Sequence, residues 1–294
     1  MSGLSLAVYS TIHPGVLPYL KDWSASLAAQ HDRDFALILG LDMVDEADLA
    51  RARGGGPDAV VVKAPPGASP ARVRTLALTR AVSEYDGILF LDADDVMLPH
   101  RVAETKKRLR ELDCCGFGLR LIDGAGGDLG LTMGMREDFS LVRGNLYGMS
   151  NTAYRTRFVR RALPFPEGCL CLDWYLAALA EAEGAGLGFE NEPAGLYRQH
   201  PDNCASLLPP FTRQGVRAAT RVVRDFLARL IPALPARRRE LYRERAAEVA
   251  LFTRAMETDD DAATGYLRAL AEKPLLEHWW AQVANKKLEH LWKR

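Results

Sequence analysis

The segment Gly87-Ile-Leu-Phe-Leu-Asp-Ala-Asp-Asp95 determines the fold prediction for this chain. Four large apolar residues in a row are too few for a helix and lack the alternation of a half-exposed strand. They therefore predict a strand that is buried on both faces. Three carboxylates follow this strand directly. In an open parallel sheet ligands bind at the carboxyl ends of the strands, so we expect Asp92, Asp94 and Asp95 to lie together at such a position.

Three carboxylates held close together repel one another, and burial increases the repulsion. A divalent cation resolves this conflict, because hard oxygen ligands suit Mg²⁺ or Mn²⁺, and the bound metal can in turn hold a diphosphate. The alternative is an Asp-rich turn that caps a helix beginning near Pro99. An N-cap requires one Asp rather than three, which favours the metal site.

The composition predicts a globular protein without a nucleic-acid partner. Of 294 residues, 48% are hydrophobic, and 38 basic residues balance 38 acidic ones. Residues 213–294 are basic, with 17 Lys and Arg against 11 Asp and Glu. No apolar run reaches the roughly 18 residues of a membrane span, and the first residues lack the features of a signal peptide, so we expect a cytoplasmic protein.

Five cysteines, an odd number, suit a reducing compartment better than a disulfide framework. Cys114 and Cys115 are adjacent, and one residue separates Cys169 from Cys171, so neither pair has the spacing of a zinc knuckle. We therefore expect buried thiols at all five positions, Cys204 included.

Strands and helices alternate before and after the central segment. Strands are predicted over 4–12, 35–41, 59–62, 116–122, 187–190 and 195–197, with a turn or hairpin over 123–134. Helices are predicted over 17–30, 43–53, 70–85, 99–112, 155–162 and 172–182, the third with Ser69 as its N-cap. This alternation predicts an α/β fold with a mainly parallel sheet flanked by helices.

From about residue 212 the pattern becomes helical. Helices are predicted over 212–231, 236–257, 260–272 and 275–292, and in the first of them Arg217, Arg221 and Arg224 lie on a face away from the apolar residues. We therefore predict an α/β domain over 1–211 and a helical C-terminal domain over 212–294.

The last predicted helix carries an apolar stripe beside four basic residues. The stripe consists of Leu276, Trp280, Val283, Leu288, Leu291 and Trp292, and the basic residues are Lys286, Lys287, Lys293 and Arg294. Such a stripe more often packs onto its own domain, which we favour. The alternatives are peripheral contact with an anionic membrane at its inner face, where the tail would hold the protein near a lipid-linked acceptor, or a homo-oligomer interface.

Two further segments contain candidate functional residues. Asp173 begins a predicted helix beside Trp174, where a carboxylate can serve as a general base, although a first-turn Asp is also favoured by the helix dipole alone. The segment 196–203 contains Arg198, a candidate phosphate contact, and His200, a candidate metal ligand. A single residue of either kind is weak evidence, so order and spacing carry more weight.

Together, these segments resemble the family 2 glycosyltransferases of the GT-A fold. The resemblance rests on 90–95 as the Asp-x-Asp motif, on Leu172-Asp173-Trp174 as the acidic base motif, and on Tyr-Arg-Gln-His-x-x-Asn over 197–203. It covers residues 4–207, and the motifs occur in the family's order. It implies inverting transfer of a sugar from a nucleotide-diphosphate sugar, by default a UDP-sugar, to a hydroxyl of a glycan or lipid-linked acceptor, with Mn²⁺ or Mg²⁺.

The resemblance also implies a role for individual residues. Asp94 would bind the metal directly, Asp92 would lie by the metal or the ribose, and His200 would complete the metal shell or contact the diphosphate. Asp173 would be the general base. The donor contacts implied at the other matched positions are Thr11, Asp42, Arg72 and Arg198.

The chain departs from the family pattern at three places. Val73 stands where the family's Ala-Arg-Asn has Asn, the Asn that commonly ends the first strand is Thr11 or Ile12 here, and Leu172 replaces one acid of the base motif. These differences concern the nucleotide pocket more than the metal or the base. Ser150 and Asn151 fall where the family lines the acceptor or the donor sugar.

Two rival functions fit parts of the sequence. Residues 88–96 also match the strand and Asp-x-Asp-x-Val of haloacid dehalogenase-like phosphatases, whose first Asp is a nucleophile. That superfamily normally begins its fold with this strand, whereas three strand-and-helix units precede it here. The second rival is a non-catalytic nucleotide-sugar binding module of the same fold.

Overall fold

The structure, a computed structural model, describes residues 3–205 and 207–293. Within these residues one sheet has nine strands, in the order β3-β2-β1-β4-β8-β6-β9-β5, with β7 paired to β6. The strands are Leu6–Ile12 (β1), Ala36–Leu41 (β2), Ala59–Lys63 (β3), Gly87–Phe90 (β4), Val96–Met97 (β5), Cys114–Ile122 (β6), Asp128–Met133 (β7), Thr152–Arg155 (β8) and Leu187–Arg198 (β9).

The sheet is mainly parallel, as predicted. β1 runs parallel to β2 and to β4, β2 to β3, and β6 to β9. The shorter β8 lies antiparallel between β4 and β6. The predicted α/β class is therefore confirmed, and the strand that precedes the three carboxylates, β4, lies in the interior of the sheet with all four residues buried.

Ten α-helices accompany the sheet in the described residues. They are Leu20–Ala28 (α1), Glu46–Arg53 (α2), Pro70–Glu84 (α3), Arg101–Arg108 (α4), Thr156–Ala162 (α5), Leu172–Ala182 (α6), Arg213–Ala233 (α7), Ala236–Thr258 (α8), Asp260–Ala271 (α9) and Glu289–Trp292 (α10). Short 3-10 helices lie at Pro14–Tyr19 and Lys286–Leu288. The predicted cap of α3 is present, since Ser69 Oγ accepts a hydrogen bond from the Arg72 amide at 3.1 Å.

The chain divides into two compact units that alternate along the sequence. The first contains the residues up to Gly134, Tyr147–Gly168 and Gly184–His200, and it holds the whole sheet with α1 to α5. The second contains Met135–Leu146, Cys169–Glu183 and the chain from Pro201 onward, with α6 to α10. The division into 1–211 and 212–294 stays a prediction.

Two differences from the predicted strands concern β9 and its neighbours. The strands predicted over 187–190 and 195–197 are one continuous strand, and its pairing with β6 shifts register on both sides of Gly118. Such irregularities allow a strand to continue through residues that break the apolar pattern. The predicted hairpin over 123–134 is confirmed, because β7 pairs antiparallel with β6.

The helix predicted over 275–292 is wrong for most of its length. Only the 3-10 turn and α10 are helical there, and Trp280 and Ala284 have positive φ angles of 71° and 46°. Trp279 instead pairs in a bridge with Asn145. Contacts made within the second unit therefore override the helical spacing, although Trp280 and Trp292 of the apolar stripe are buried as favoured. Arg294 lies outside the described residues.

The cysteine prediction is confirmed at four positions and wrong at one. In the part of the chain that the structure describes, none of the five cysteines forms a disulfide. Cys204 is exposed, and the buried cysteines are Cys114, Cys115, Cys169 and Cys171. Among the helices of residues 3–205 and 207–293, none combines the length and the apolar character needed to span a bilayer.

Candidate active site

Three predicted donor contacts lie at the same edge of the sheet. Thr11 is near the carboxyl end of β1, Asp42 follows β2, and Asp92 follows β4 by two residues. The Asp42 amide donates to the carbonyl of Ile12 at 2.9 Å, which aligns the ends of β1 and β2. Because these strands are parallel, their carboxyl ends lie at one edge, and Thr11, Asp42 and Asp92 are therefore on the same side of the sheet. Their contact with a donor stays a prediction.

A buried tyrosine reports the electrostatic field at this edge. The Tyr9 hydroxyl lies 2.8 Å from Thr11 Oγ1. Burial raises the pKa of Tyr9 to about 12, with the charge of Arg74 lowering it and that of Asp92 raising it. The charge of Arg74 in α3 thus acts on Tyr9, and the predicted Arg72 is exposed in the first turn of the same helix. No motif of the sequence distinguishes these two arginines, which are two positions apart.

Asp94 and His200 form a close pair in the first unit. Asp94 Oδ2 lies 3.0 Å from His200 Nε2, and their side chains are 17% and 9% exposed. His200 follows β9, and its ring stacks on that of Tyr19 with centroids 5.1 Å apart. The sequence predicted the two members of the pair. It missed Tyr19, which lies in a short 3-10 turn without a motif.

Arg198 joins the end of β9 to the loop that follows β4. It is 1% exposed, and its amide donates to Asp95 Oδ1 at 2.7 Å while its Nε donates to the Asp94 carbonyl at 2.8 Å. Its two terminal nitrogens donate to Asp22 Oδ2 at 3.0 Å and to the Gly124 carbonyl at 3.2 Å. The guanidinium therefore holds the Asp94 loop in place, and its predicted contact with phosphate stays a prediction.

The three aspartates of the motif differ in their environments. Burial, followed by the charges of Asp94 and Asp92, raises the pKa of Asp95 well above its usual value, so its protonated form is favoured. Asp92 Oδ2 accepts a hydrogen bond from Ser150 Oγ at 2.9 Å. Neighbouring Asn151 is 1% exposed and donates to the Phe117 carbonyl at 2.7 Å. Asp92 and Asp94 are partly exposed, whereas Asp95 is buried.

Asp94 and His200 are hydrogen-bonded to each other, and their side-chain atoms are of the kinds that bind a divalent cation. Among the described residues no group of three or more His, Cys, Asp or Glu side chains could hold a metal. Two protein ligands are nevertheless sufficient where substrate phosphates complete the coordination.

Asp173 lies in the second unit, in the first turn of α6. Its Oδ2 accepts a hydrogen bond from Asn145 Nδ2 at 2.8 Å, and its Oδ1 accepts one from the Trp174 amide at 2.8 Å. The Trp174 indole donates to the Leu141 carbonyl at 2.7 Å and stacks on Phe226 at 4.2 Å. The carboxylate is therefore attached to a firmly packed helix start.

Asn145 is a candidate positioning residue that the sequence did not reveal. It is completely buried, and its carbonyl accepts from the Trp279 amide at 2.9 Å. The bond from its side chain fixes the rotation of the Asp173 carboxylate. Residues 141–153 have no clear periodicity, and the pairing with Trp279 spans more than a hundred residues, so no local signal pointed to Asn145.

No family model matches the sequence, and no curated protein matches it. Solved structures do resemble it. S. aureus TarS has 14% identity over 98% of this chain, with a TM-score of 0.60. This chain spans 50% of that TarS chain.

The chain shares the fold of TarS, and two further structures with bound nucleotide sugars resemble it as well. TarS 1–349 in complex with UDP-GlcNAc has a TM-score of 0.57 and 13% identity, over 99% of this chain and 92% of that one. The mannosyltransferase PcManGT from Pyrobaculum calidifontis, in complex with GDP-Man and Mn²⁺, has a TM-score of 0.58 and 12% identity, over 100% of this chain and 89% of that one. At such identities the likeness establishes the fold alone.

Proposed function

We propose that this protein is an inverting glycosyltransferase of the GT-A fold, similar to family 2, that transfers a sugar from a nucleotide-diphosphate sugar to an acceptor hydroxyl. The observation that carries the proposal is the pair of Asp94 and His200, whose contacting atoms are 3.0 Å apart at the edge where Thr11 and Asp42 also end their strands. Two structures with this fold hold UDP-GlcNAc or GDP-Man.

The first unit binds the donor. Asp94 and His200 would hold Mn²⁺ or Mg²⁺, Asp92 would lie beside the metal or the ribose, and Thr11 and Asp42 would line the pocket of the nucleotide base. When bound, the cation supplies positive charge that offsets the developing charge of the diphosphate leaving group. Arg198 and Tyr19 hold His200 and the Asp94 loop in their positions.

Asp173 accepts the proton of the acceptor hydroxyl, which belongs to a glycan or a lipid-linked glycan. The hydrogen bond from Asn145 orients the carboxylate, so that one oxygen is fixed toward the protein. The deprotonated hydroxyl attacks the anomeric carbon from the face opposite the nucleotide, and the configuration inverts.

A nucleotide screen followed by a transfer assay tests the proposal. UDP, GDP, dTDP and CDP are compared by thermal shift with and without MnCl₂, because a ligand that binds only the native state raises the melting temperature. We expect one nucleotide, by default UDP, to stabilise the protein in a manganese-dependent way. Sugars carried by that nucleotide are then assayed for transfer and for slow hydrolysis.

The same assays separate the enzyme from a binding module. Manganese-dependent binding of the nucleotide sugar with neither transfer nor hydrolysis supports the module. Release of inorganic phosphate from sugar phosphates would instead support the phosphatase. Absence of binding by all four nucleotides contradicts both nucleotide-sugar functions.

A further inference from the structure

A small cavity in the second unit is lined by basic side chains. Its volume is about 100 Å³, and its walls come from 136–143, from α8 and from 277–287. We call it the basic cavity and define it by Arg136, Arg143, Arg245, His278, Lys286 and Lys287. None of these residues has a role in the proposed transfer.

The basic cavity has an excess of positive charge. Five cationic side chains line it, whereas the lining carboxylates are Asp138 and Glu277. A third carboxylate, Glu248, accepts from Arg245 Nη1 at 2.7 Å and from Arg143 Nη1 at 3.1 Å. With that carboxylate counted, five cations face three acids, and two positive charges are left over.

The carboxylates around the cavity are held in the ionised form. Although burial opposes ionisation, the hydrogen bonds and charges of Arg245 and Arg143 keep the pKa of Glu248 below its usual value. Burial likewise opposes the ionisation of Glu277, but Lys287 and the charge of Arg136 keep its pKa low. The local field is therefore positive even where acids are present, and it favours an anion.

Hydrogen bonds from Arg245 hold the walls of the basic cavity in position. Arg245 is 4% exposed and donates to the carbonyls of Val283 at 2.9 Å, Ala284 at 3.2 Å and Arg143 at 3.3 Å. Ala284 has a positive φ of 46°, a conformation that non-glycine residues rarely adopt and that persists only where surrounding contacts impose it. The site is therefore preorganised rather than formed by a loose loop.

Size and charge together define the ligand. About 100 Å³ of the cavity is open to the centre of a water molecule, and about 10 to 15 Å³ is enough for one water, so the cavity has room for a tetrahedral oxyanion. A phosphate monoester carries a charge of about −1.5 to −2 at neutral pH, which matches the two excess positive charges, and arginine and lysine are its usual protein partners. We propose that the basic cavity binds one phosphate group.

The test measures binding of inorganic phosphate to the full chain by isothermal titration in dilute buffer. The variant Arg136→Gln/Lys286→Gln removes two exposed cations without touching the buried Arg245. The matched control Arg268→Gln/Lys273→Gln removes two exposed cations that do not line the cavity. We expect one phosphate per chain in the wild type and in the control, and about a tenfold or greater loss of affinity in the variant.

Two further ligands distinguish the sources of the phosphate. Glycerol 1-phosphate represents a monoester of a larger molecule, and dimethyl phosphate represents a diester. Tighter binding of one of them than of inorganic phosphate assigns the cavity to the phosphoryl group of a larger ligand, and tightest binding of inorganic phosphate assigns it to the free ion. Equal affinity of wild type, control and variant, or no saturable binding by the wild type, overturns the proposal. Circular dichroism confirms that the variant is folded.

Discussion

The candidate donor site and the candidate base differ in how their residues are held. Asp94 and His200 lie at the ends of β-strands, where the parallel sheet brings the ends of several strands together. Asp173 begins a helix, but its orientation depends on Asn145, which lies in a segment without regular structure. In α/β folds ligands generally bind at the carboxyl ends of the strands, whereas a loop contact such as that of Asn145 is particular to one chain.

This difference separates two kinds of functional residue. Residues such as Asp94 and His200 are positioned by the sheet, and we expect their replacement to weaken ligand binding. A residue such as Asn145 orients the reacting carboxylate of Asp173 through a loop contact. Its loss should change the rate of transfer more than the affinity for the donor. The following variants test that distinction, beginning with the largest expected effect.

Replacement of the candidate base should abolish transfer and leave donor binding intact. We expect Asp173→Asn to reduce the rate of transfer by about 10³-fold, because the amide cannot accept the proton of the acceptor. The measurement pairs single-turnover transfer with titration of the donor. Asp261→Asn is the matched control, since Asp261 also lies in the first turn of a helix, α9. A similar loss in both variants would show that the effect is not specific to the candidate base.

Replacement of the candidate metal ligand should act on binding instead. We expect Asp94→Ala to weaken manganese-dependent donor binding by about 10- to 100-fold, because one of two protein ligands is lost. Titration of the nucleotide with and without MnCl₂ gives the value. Asp58→Ala removes an exposed carboxylate as the control. Unchanged metal dependence in Asp94→Ala would exclude Asp94 as a ligand.

Loss of Asn145 should have a smaller effect that depends on pH. Asn145→Ala removes a hydrogen bond that stabilises the ionised carboxylate of Asp173. We expect the acidic limb of the kcat profile to move to higher pH, because a carboxylate that loses a hydrogen bond to its charged form is easier to protonate. A purely structural role would lower kcat equally at every pH, so a profile that drops without moving contradicts the positioning role.

The smallest expected effect concerns thiol reactivity, which reports whether the interior of each unit excludes a thiol reagent. Burial raises the pKa of Cys115 and that of Cys169 to about 12, so both thiols stay protonated in the folded protein at pH 8. We expect one thiol, Cys204, to react rapidly with Ellman's reagent, and Cys204→Ser to remove the fast phase. A fast phase that persists in Cys204→Ser would show that a buried thiol is accessible.

The raised pKa values of Cys115 and Cys169 also predict how the stability of the fold changes at alkaline pH. A folded-state pKa above the unfolded value means that the folded state binds more protons between the two values. The free energy of unfolding should therefore fall as pH rises from about 8.5, the usual value for a thiol, toward 12. Urea titrations at pH 8 and pH 10 measure the change, and a value that rises with pH contradicts it.

The sequence predicted the first unit well because its signals are local. The apolar run of β4, the cap of α3 at Ser69 and the alternation of strands with helices each depend on a few adjacent residues. The site residues at strand ends followed from that order. Tyr19 and Arg74 were missed, because their positions beside His200 and Tyr9 depend on how elements pack and not on any motif.

The second unit was predicted less completely because part of its structure depends on contacts between residues that are far apart in the sequence. The amphipathic α7 was evident, since Val223 and Leu230 recur on its buried face. The segment before α10 shows helical spacing as well, yet Trp279 pairs with Asn145 and Trp280 takes a left-handed conformation. Local periodicity cannot anticipate a pairing partner that is more than a hundred residues away.

The configuration of the released sugar tests the central claim most directly, and it requires no knowledge of the acceptor. Slow hydrolysis of an α-linked nucleotide sugar is followed by time-resolved proton NMR, so that the first anomer is seen before mutarotation. An attack assisted by Asp173 from the face opposite the nucleotide predicts that the β-sugar appears first, and that Asp173→Asn suppresses it. Appearance of the α-sugar first would contradict the inverting mechanism.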